Sequence, residues 1–373
     1  MIMRVLYIFR SIAQWGGIER ILVDKMNYLS DVYGLDVYFL TYDQGTHPLT
    51  FKLSDNIHYE DLNICFYRRY KYNILTRLVL FVKMILQYER MLENRIKIIN
   101  PDAIVTTTSD FLSVIIKAKG HVPLIVESHS ICIRTINGEK HFPFNLYCRY
   151  RFHRCLAKVD IVVALTEGDA NEWRKIHPHV VVIPNFIHPH KLCVSNQDNK
   201  RAIFIGRLDY QKRAQDAISI WKKVRELHPD WVLYIYGAGD MLNEISSLAS
   251  STGGICVHEP IDNIFVAYKN SSLLLSTSLF EPFGLVIPEA MSCGLPVIAF
   301  DCPYGPRVII QDCIDGFVIE NRNFNQFVDK VCLLMDNHDL RVKMGEEGIK
   351  SSSRYEPNII MPQWINLFQS FKS

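Results

Sequence analysis

No C-x-x-C pair occurs among the ten cysteines of this 373-residue chain, which excludes zinc-knuckle and thioredoxin-type spacing. Scattered thiols of this kind fit a reducing cytosol. No D-x-D string occurs, so the usual carboxylate pair that holds Mg²⁺ or Mn²⁺ on a diphosphate is missing, and no metal is expected. Net charge is low as well. The 41 Lys+Arg and 39 Asp+Glu leave only +2, which argues against a nucleic-acid partner bound through bulk charge. No apolar run approaches the roughly 18–20 residues of a spanning helix. The opening MIMRVLYIFR has no small-residue cleavage site and reads as a first strand, not a signal peptide.

Hydrophobic residues make up 49% and charged residues 21%, the balance of an ordinary folded chain long enough for two domains or three. Short apolar runs alternate with helical ones. Val5–Phe9, Leu35–Thr41, Ala103–Thr107, Leu124–Glu127, Ile161–Leu165 and Val180–Ile183 read as strands, and Ile18–Ser30 as an amphipathic helix. After a Pro-, Asn- and Asp-rich break over 186–200, the alternation resumes. Strands are expected at Arg201–Gly206, Trp231–Tyr236, Leu273–Ser276 and Pro296–Ala299, and helices at Ala214–Leu227, Met241–Ala249, Leu285–Cys293, Phe324–Met335, Leu340–Ser351 and from about Asn358. This pattern predicts two α/β, Rossmann-like, doubly wound parallel-sheet domains, 1–190 and 191–355, with a cleft between them. Ligands of such sheets bind beyond the carboxyl ends of the strands.

The densest chemical signal is SLFEPFGLVIPEAMSCGLPVIAF. Glu281 and Glu289 stand eight residues apart, a little over two helical turns, so both carboxylates can face one cleft and accept from hydroxyls. Two exposed glutamates on a surface helix are the plainer account of the bare pair, and the surrounding string tips the balance. In IGRLDYQKR, Arg207 offers a forked contact and Lys212 a mobile point charge, suited together to a diphosphate, with Arg213 as a third cation, although two cations in a loop are by themselves more often just solvated. Gly16 and Gly17 precede the first helix, where backbone amides can approach an anion. The YGAG turn (Gly237, Gly239) is half of a dinucleotide fingerprint, and alone either glycine string reads as a tight turn. His129 in LIVESHS can donate to a substrate hydroxyl, with Glu127 a weaker candidate beside it, although a packing role fits that histidine equally well. His177–His179 and His188–His190 have no further ligand at metal spacing and read as loops.

Residues Tyr67–Lys97 hold Arg68, Arg69, Lys71, Arg77, Lys83, Arg90, Arg95 and Lys97 among Leu75, Leu78, Val79, Phe81, Val82, Ile85 and Leu86. Such a helix suits an anionic membrane surface or, equally, a sheet-covering helix with solvated cations. The first 190 residues carry 23 basic and 18 acidic side chains, so an anionic surface would meet this half.

G-G-I-E-R, A-L-T-E (164–167), V-I-P-N (182–185), G-R-L-D-Y-Q-K, Y-G-A-G and E-P-F-G-L-V-I-P-E-A-M-S-C-G-L-P-V-I-A, in this order over nearly the whole chain, resemble the retaining GT-B glycosyltransferases of family 4. The resemblance implies a hexosyltransferase-type enzyme of bacterial cell-surface polysaccharide, lipopolysaccharide or capsule synthesis. Its co-substrate would be a nucleotide-diphosphate sugar, UDP favoured, its acceptor a glycan or lipid-linked hydroxyl, and it would use no metal or other cofactor. By the same resemblance Arg207 and Lys212 hold the diphosphate, Glu281 lies near the sugar with Phe283, Gly284 and Leu285 giving backbone contacts, and Glu289 holds the ribose. The base lies near Gly237–Gly239 and His258–Pro260, Gly17 and His129 approach the phosphate and sugar, and the last helix (about 356–373) packs back on the first domain. Glu259, Phe186 and Val308 depart from the family pattern. The implied location is cytoplasmic, peripheral on the inner face of the membrane. Competing readings are a GT-B epimerase or phosphorylase, a non-catalytic membrane-associated sugar-nucleotide binder and, more distantly, a nicotinamide dehydrogenase, which would need a complete glycine fingerprint.

Overall fold

The computed structural model describes residues 2–107, 111–137, 144–188 and 193–371. The expected boundary at 190/191, and Pro189 and His190 of the second His-Pro-His string, lie outside the described residues. The chain divides into two compact units, Met1–Ile183 with Met361–Ser373, and Pro184–Ile360.

In the first unit β1 (Arg4–Phe9), β2 (Asp36–Thr41), β3 (His58–Asp61), β4 (Ala103–Thr107), β5 (Leu124–Glu127), β6 (Ile161–Ala164) and β7 (Val180–Val182) form a sheet of order β3-β2-β1-β4-β5-β6-β7. Its helices are α1 (Gly17–Asp31), α2 (Ile74–Ile99), α3 (Leu112–Ala118), α4 (Cys132–Asn137), α5 (Phe144–Leu156) and α6 (Glu167–Arg174). In the second unit β8 (Arg201–Ile205), β9 (Val232–Tyr236), β10 (Ile255–His258), β11 (Leu273–Ser276), β12 (Val297–Phe300) and β13 (Gly316–Ile319) follow the order β10-β9-β8-β11-β12-β13. Its helices are α7 (Ala214–Leu227), α8 (Leu242–Thr252), α9 (Ile264–Lys269), α10 (Val286–Ser292), α11 (Gly305–Ile309), α12 (Phe324–Asp336) and α13 (His338–Ser352), and α14 (Pro357–Gln369) closes the chain.

Every strand pairing is parallel, and the central strands β4, β11 and β12 are buried along their whole length. Helices cover both faces of such sheets, which is why these strands are unbroken apolar runs and not alternating ones. The order reverses between β1 and β4 in one sheet and between β8 and β11 in the other, and the loops leaving strands at such a switch point are where ligands bind. Trp173 and Trp221 anchor the two cores, both fully buried. Within the first unit the C-terminal segment is tied in by Trp364, whose ring centroid lies 4.0 Å from Lys25 Nζ on α1.

Three strands go unread in the sequence: β3, β10 and β13, all at sheet edges. An edge strand has one neighbour and partial solvent exposure, so HYED at β3 carries no apolar run, and four-residue runs do not separate strand from helix. In the basic stretch, a 3-10 turn at Phe66–Lys71 precedes α2, which begins only at Ile74.

Candidate functional site

The loop from β8 to α7 is built on backbone contact. Gly206 N–H donates to Tyr236 O (3.1 Å) and Leu208 N–H to Ala238 O (2.9 Å). A Cβ on Gly237 would lie 2.0 Å from the Gly206 carbonyl oxygen, and one on Gly239 2.5 Å from Leu208 O. The two glycines of YGAG therefore let the loops after β8 and β9 close on each other. Asp209 accepts from the amides of Gln211 and Lys212, both at 3.0 Å, which turns the chain between β8 and α7. Gly206 leaves room for the lysine stem, since a Cβ there would sit 3.1 Å from Lys212 Cγ.

Lys212 Nζ donates to Glu281 Oε1. Ser278 Oγ donates to the same oxygen at 2.7 Å. The Glu281 side chain is only 4% exposed and that of Lys212 16%, so this is a nearly buried charge pair beyond β8 and β11, the strands flanking the order reversal. Glu281 is fixed from behind by its backbone: its N–H donates to Pro303 O (2.6 Å), and its carbonyl accepts from Tyr304 and Gly305 (2.7 and 2.8 Å). Arg207 instead points outward, 65% exposed, with Asp209 as its ion-pair partner at 3.3 Å. Arg213 is taken up structurally, paired with Asp216 at 2.9 Å.

Gly284 turns the chain at φ +90 into α10. Phe283 is a core residue, 5.2 Å edge-on from Tyr355, while Leu285 precedes the helix, partly buried. Glu289 lies within α10, buried, with its Oε2 accepting from Tyr268 OH at 3.3 Å. His258, at the exposed end of β10, stacks on Tyr236 (5.0 Å between ring centroids), and Pro260 follows it on the surface.

In the first unit Gly16 caps α1 in extended conformation and Gly17 is its first residue. A Cβ on Gly16 would lie 2.0 Å from Glu19 Oε2, so the Glu19 carboxylate folds back over the helix start. At the end of β5, Glu127 Oε2 accepts from Lys25 Nζ (2.5 Å) and is 3.0 Å from His129 Nε2. All three side chains are nearly inaccessible. Burial by itself would raise the Glu127 carboxyl, but Lys25 and His129 outweigh it and hold it below the usual carboxylate range. An ionised carboxylate only accepts, so His129 Nε2 carries a proton.

Three participants lie outside the quoted strings, Lys25, Tyr268 and Arg322, and Ser278 opens the glutamate string without having been singled out. Arg322 links Asp216 to the carbonyls of Thr277 (2.8 Å) and Ser278 (3.2 Å), bracing the loop that carries Glu281. Burial pulls its guanidinium below the ordinary arginine value. Lys25 lies on the buried side of α1, and nothing in the sequence singles it out.

Residues 15–191 match the family described as Glycosyltransferase Family 4, and residues 191–351 the family described as Glycosyl transferases group 1. The amylovoran biosynthesis glycosyltransferase AmsD of Erwinia amylovora is 29% identical over 255 residues, 65% of this chain and 70% of that protein. The poly(glycerol-phosphate) alpha-glucosyltransferase of Bacillus subtilis (strain 168) is 28% identical over 64% of this chain, which spans 38% of that longer protein. A solved structure of an S. aureus TarM mutant, in complex with fondaparinux, alpha-GlcNAc-glycerol and UDP, matches with a TM-score of 0.80 at 14% identity, covering 98% of this chain and 100% of that one. That is a likeness of fold. With both halves of the chain matched and two parallel α/β sheets in place, the chain belongs to the GT-B glycosyltransferases of family 4.

Proposed function

We propose that this glycosyltransferase moves a hexose from a UDP-sugar to a hydroxyl of a glycan or lipid-linked acceptor in cell-surface polysaccharide synthesis, with retention of configuration and without a divalent metal. The observation that carries the donor assignment is the buried Lys212–Glu281 pair at the order reversal of the second sheet, with Arg207 exposed beside it. UDP in the TarM complex and amylovoran in the name of AmsD support the donor and the product class. As the sugar–oxygen bond breaks, negative charge grows on the β-phosphate, and Lys212 and Arg207 stabilise it. The acceptor oxygen bonds to the anomeric carbon from the same face, its proton passing to the departing phosphate oxygen. Glu289 receives the ribose hydroxyls, and the base stacks near His258 and Pro260. In the first unit, Gly16 and Gly17 are assigned a phosphate contact, and His129, with its tautomer set by Glu127, a sugar hydroxyl. A lipid-linked acceptor would be met at the inner face of the cytoplasmic membrane.

Thermal-shift screening against UDP-, GDP-, ADP- and TDP-sugars tests the donor, because a specific ligand raises apparent stability by mass action. Stabilisation by UDP-sugars above the others is expected, and no response to any of the four would overturn the reading. Turnover that persists in EDTA, with an unchanged anomeric configuration in the product by NMR, checks the metal and stereochemical parts. Strict dependence on magnesium or manganese would end the first, and inversion the second.

A further inference from the structure

Among the described residues no helix is long and apolar enough to cross a membrane, yet the first half of α2 presents aliphatic side chains to solvent. Ile74, Leu75, Leu78, Val79, Val82 and Leu86 are each between 50% and 79% exposed. At about 100° per residue they fall within an arc of roughly 140° on the helix. The buried face in the second half of α2, set by Tyr88, Leu92, Ile96 and Ile99, is centred roughly a quarter-turn away and overlaps the stripe only at the angles of Ile74 and Leu78. A contiguous apolar stripe of this kind on a folded surface marks a contact site.

Its charge identifies the occupant. Between Asp61 and Glu89 there is no acidic residue, while Arg68, Arg69, Lys71, Arg77 and Lys83 all lie there. Tyr70 and Tyr72, both more than half exposed, stand at the head of the helix. Arg69 and Arg77 lie over aromatic rings, Arg69 4.2 Å from the Phe81 centroid and Arg77 4.7 Å from that of Tyr70. Arg69 Nη1 and Arg77 Nε are buried without a hydrogen-bond partner. Lys83, Gln87 and Arg90 edge a hollow of about 360 Å³ beside Leu86. The far end of the helix differs. Arg95 is bound to Glu60 at 2.6 Å and Lys97 to Glu93 at 2.7 Å, so the surface ends before them and is shorter than the whole Arg68–Lys97 stretch.

We infer that the face formed by Phe66–Arg90 docks on an anionic phospholipid bilayer. The aliphatic stripe enters the headgroup–acyl boundary, with the tyrosines at the interface and the cations on lipid phosphates. A second copy of this chain fits poorly, because a twofold contact would set the same cations against each other. The inference stands on this face alone and deepens the proposed membrane setting. Donor-induced thermal stabilisation reports on the transferase reading separately.

The test is flotation of the full chain with vesicles of phosphatidylcholine alone or mixed with phosphatidylglycerol. Partition onto the anionic vesicles is expected to be about tenfold higher or more, and to fall with added salt. Leu75→Asp with Val79→Asp is expected to lose about tenfold of that partition. Lys71→Glu with Lys83→Glu is expected to lose on the order of fivefold per charge. Both variants change exposed side chains, so their melting temperatures should match the parent. Equal partition onto both vesicles, or none onto either, overturns the inference. So does a dimer in light scattering that Leu75→Asp dissolves, which would assign the face to a second copy.

Discussion

Replacing Lys212 by alanine tests its observed role as the partner of Glu281 together with its proposed role at the departing phosphate. Glu281 is 4% exposed and accepts from both Lys212 and Ser278. Breaking a buried ion pair by removing one partner costs about 3–5 kcal/mol. Ser278 remains as a donor and Lys212 is 16% exposed, so solvent screening brings the expected loss to about 2–3 kcal/mol. For a domain of this size that is a fall in Tm of roughly 5–10 °C. On the proposed mechanism, removing this cation from the developing charge costs about another 3 kcal/mol in the transition state, a hundredfold or more in kcat. The double variant Lys212→Met, Glu281→Gln distinguishes the effects. With no charge left unpaired, stability should return to within about 1 kcal/mol of the parent, while turnover stays low. Calorimetry gives the first quantity and release of nucleoside diphosphate the second. Near-normal turnover in Lys212→Ala would remove Lys212 from the mechanism. A double variant as unstable as the single would show that Glu281 does not depend on that lysine.

Nitrogen-15 NMR of His129 should find its proton on Nε2, set by Glu127; a protonated Nδ1 with a bare Nε2 would contradict this. Asp169 is raised from 3.8 to about 6, chiefly by burial. Because its folded value is the higher one, its contribution is complete below about pH 4 and is lost as pH rises through 6. Urea titration should therefore show the parent losing roughly 3 kcal/mol relative to Asp169→Asn between pH 4 and 7, and a flat difference would refute it. Gly237→Ala places a methyl 2.0 Å from a backbone oxygen, whereas Gly34 (φ +65) has nothing within 4 Å. The first should cost about 3 kcal/mol and the second about 1 kcal/mol by thermal melting, and equal costs would mean that the two loops do not press on each other.

What the sequence made legible follows burial. β1, β4, β5, β11 and β12 are central strands, and each shows as a run of Val, Ile, Leu or Ala that only a doubly covered sheet can use. Of the edge strands, β7 shows a valine run, whereas β3, β10 and β13 are four-residue segments too short to separate strand from helix. Lys212 and Glu281 stood out because a lysine after one strand and a glutamate after another fall within recognisable strings. Their mutual contact was not legible, since it depends on β8 and β11 being neighbours across 69 residues of chain. Lys25 had even less to mark it. A lysine four residues after Ile21 reads as a solvated charge until β5 brings Glu127 against it, 102 residues away. The apolar stripe of α2 was visible in composition, but its exposure was not, because period alone does not tell which apolar arc of a helix the sheet covers.

The charges around Lys212 bear on how a diphosphate would be held. Arg207, Lys212, Arg213 and Arg322 are matched against Asp209, Glu281 and Asp216, four cations to three carboxylates. An arriving diphosphate thus meets a nearly balanced network, not a bare basic patch, and gains by exchanging partners. The exchange is unequal. Lys212 is held by a buried carboxylate that Pro303, Tyr304 and Gly305 fix through its backbone, so it is already placed and little reorganisation remains when charge develops, the condition under which a fixed cation acts most strongly. Arg207 is 65% exposed and lies 3.3 Å from its carboxylate; an exposed pair of this kind is worth at most about 1 kcal/mol, so Arg207 leaves Asp209 readily but must lose side-chain freedom on binding. On the proposed reading Arg207 therefore acts chiefly in capturing the donor and Lys212 in the bond-breaking step. Loss of Arg207 should appear mainly in KM and in salt sensitivity, loss of Lys212 mainly in kcat, and a reversal of that split would show that Lys212, not Arg207, is the cation that moves.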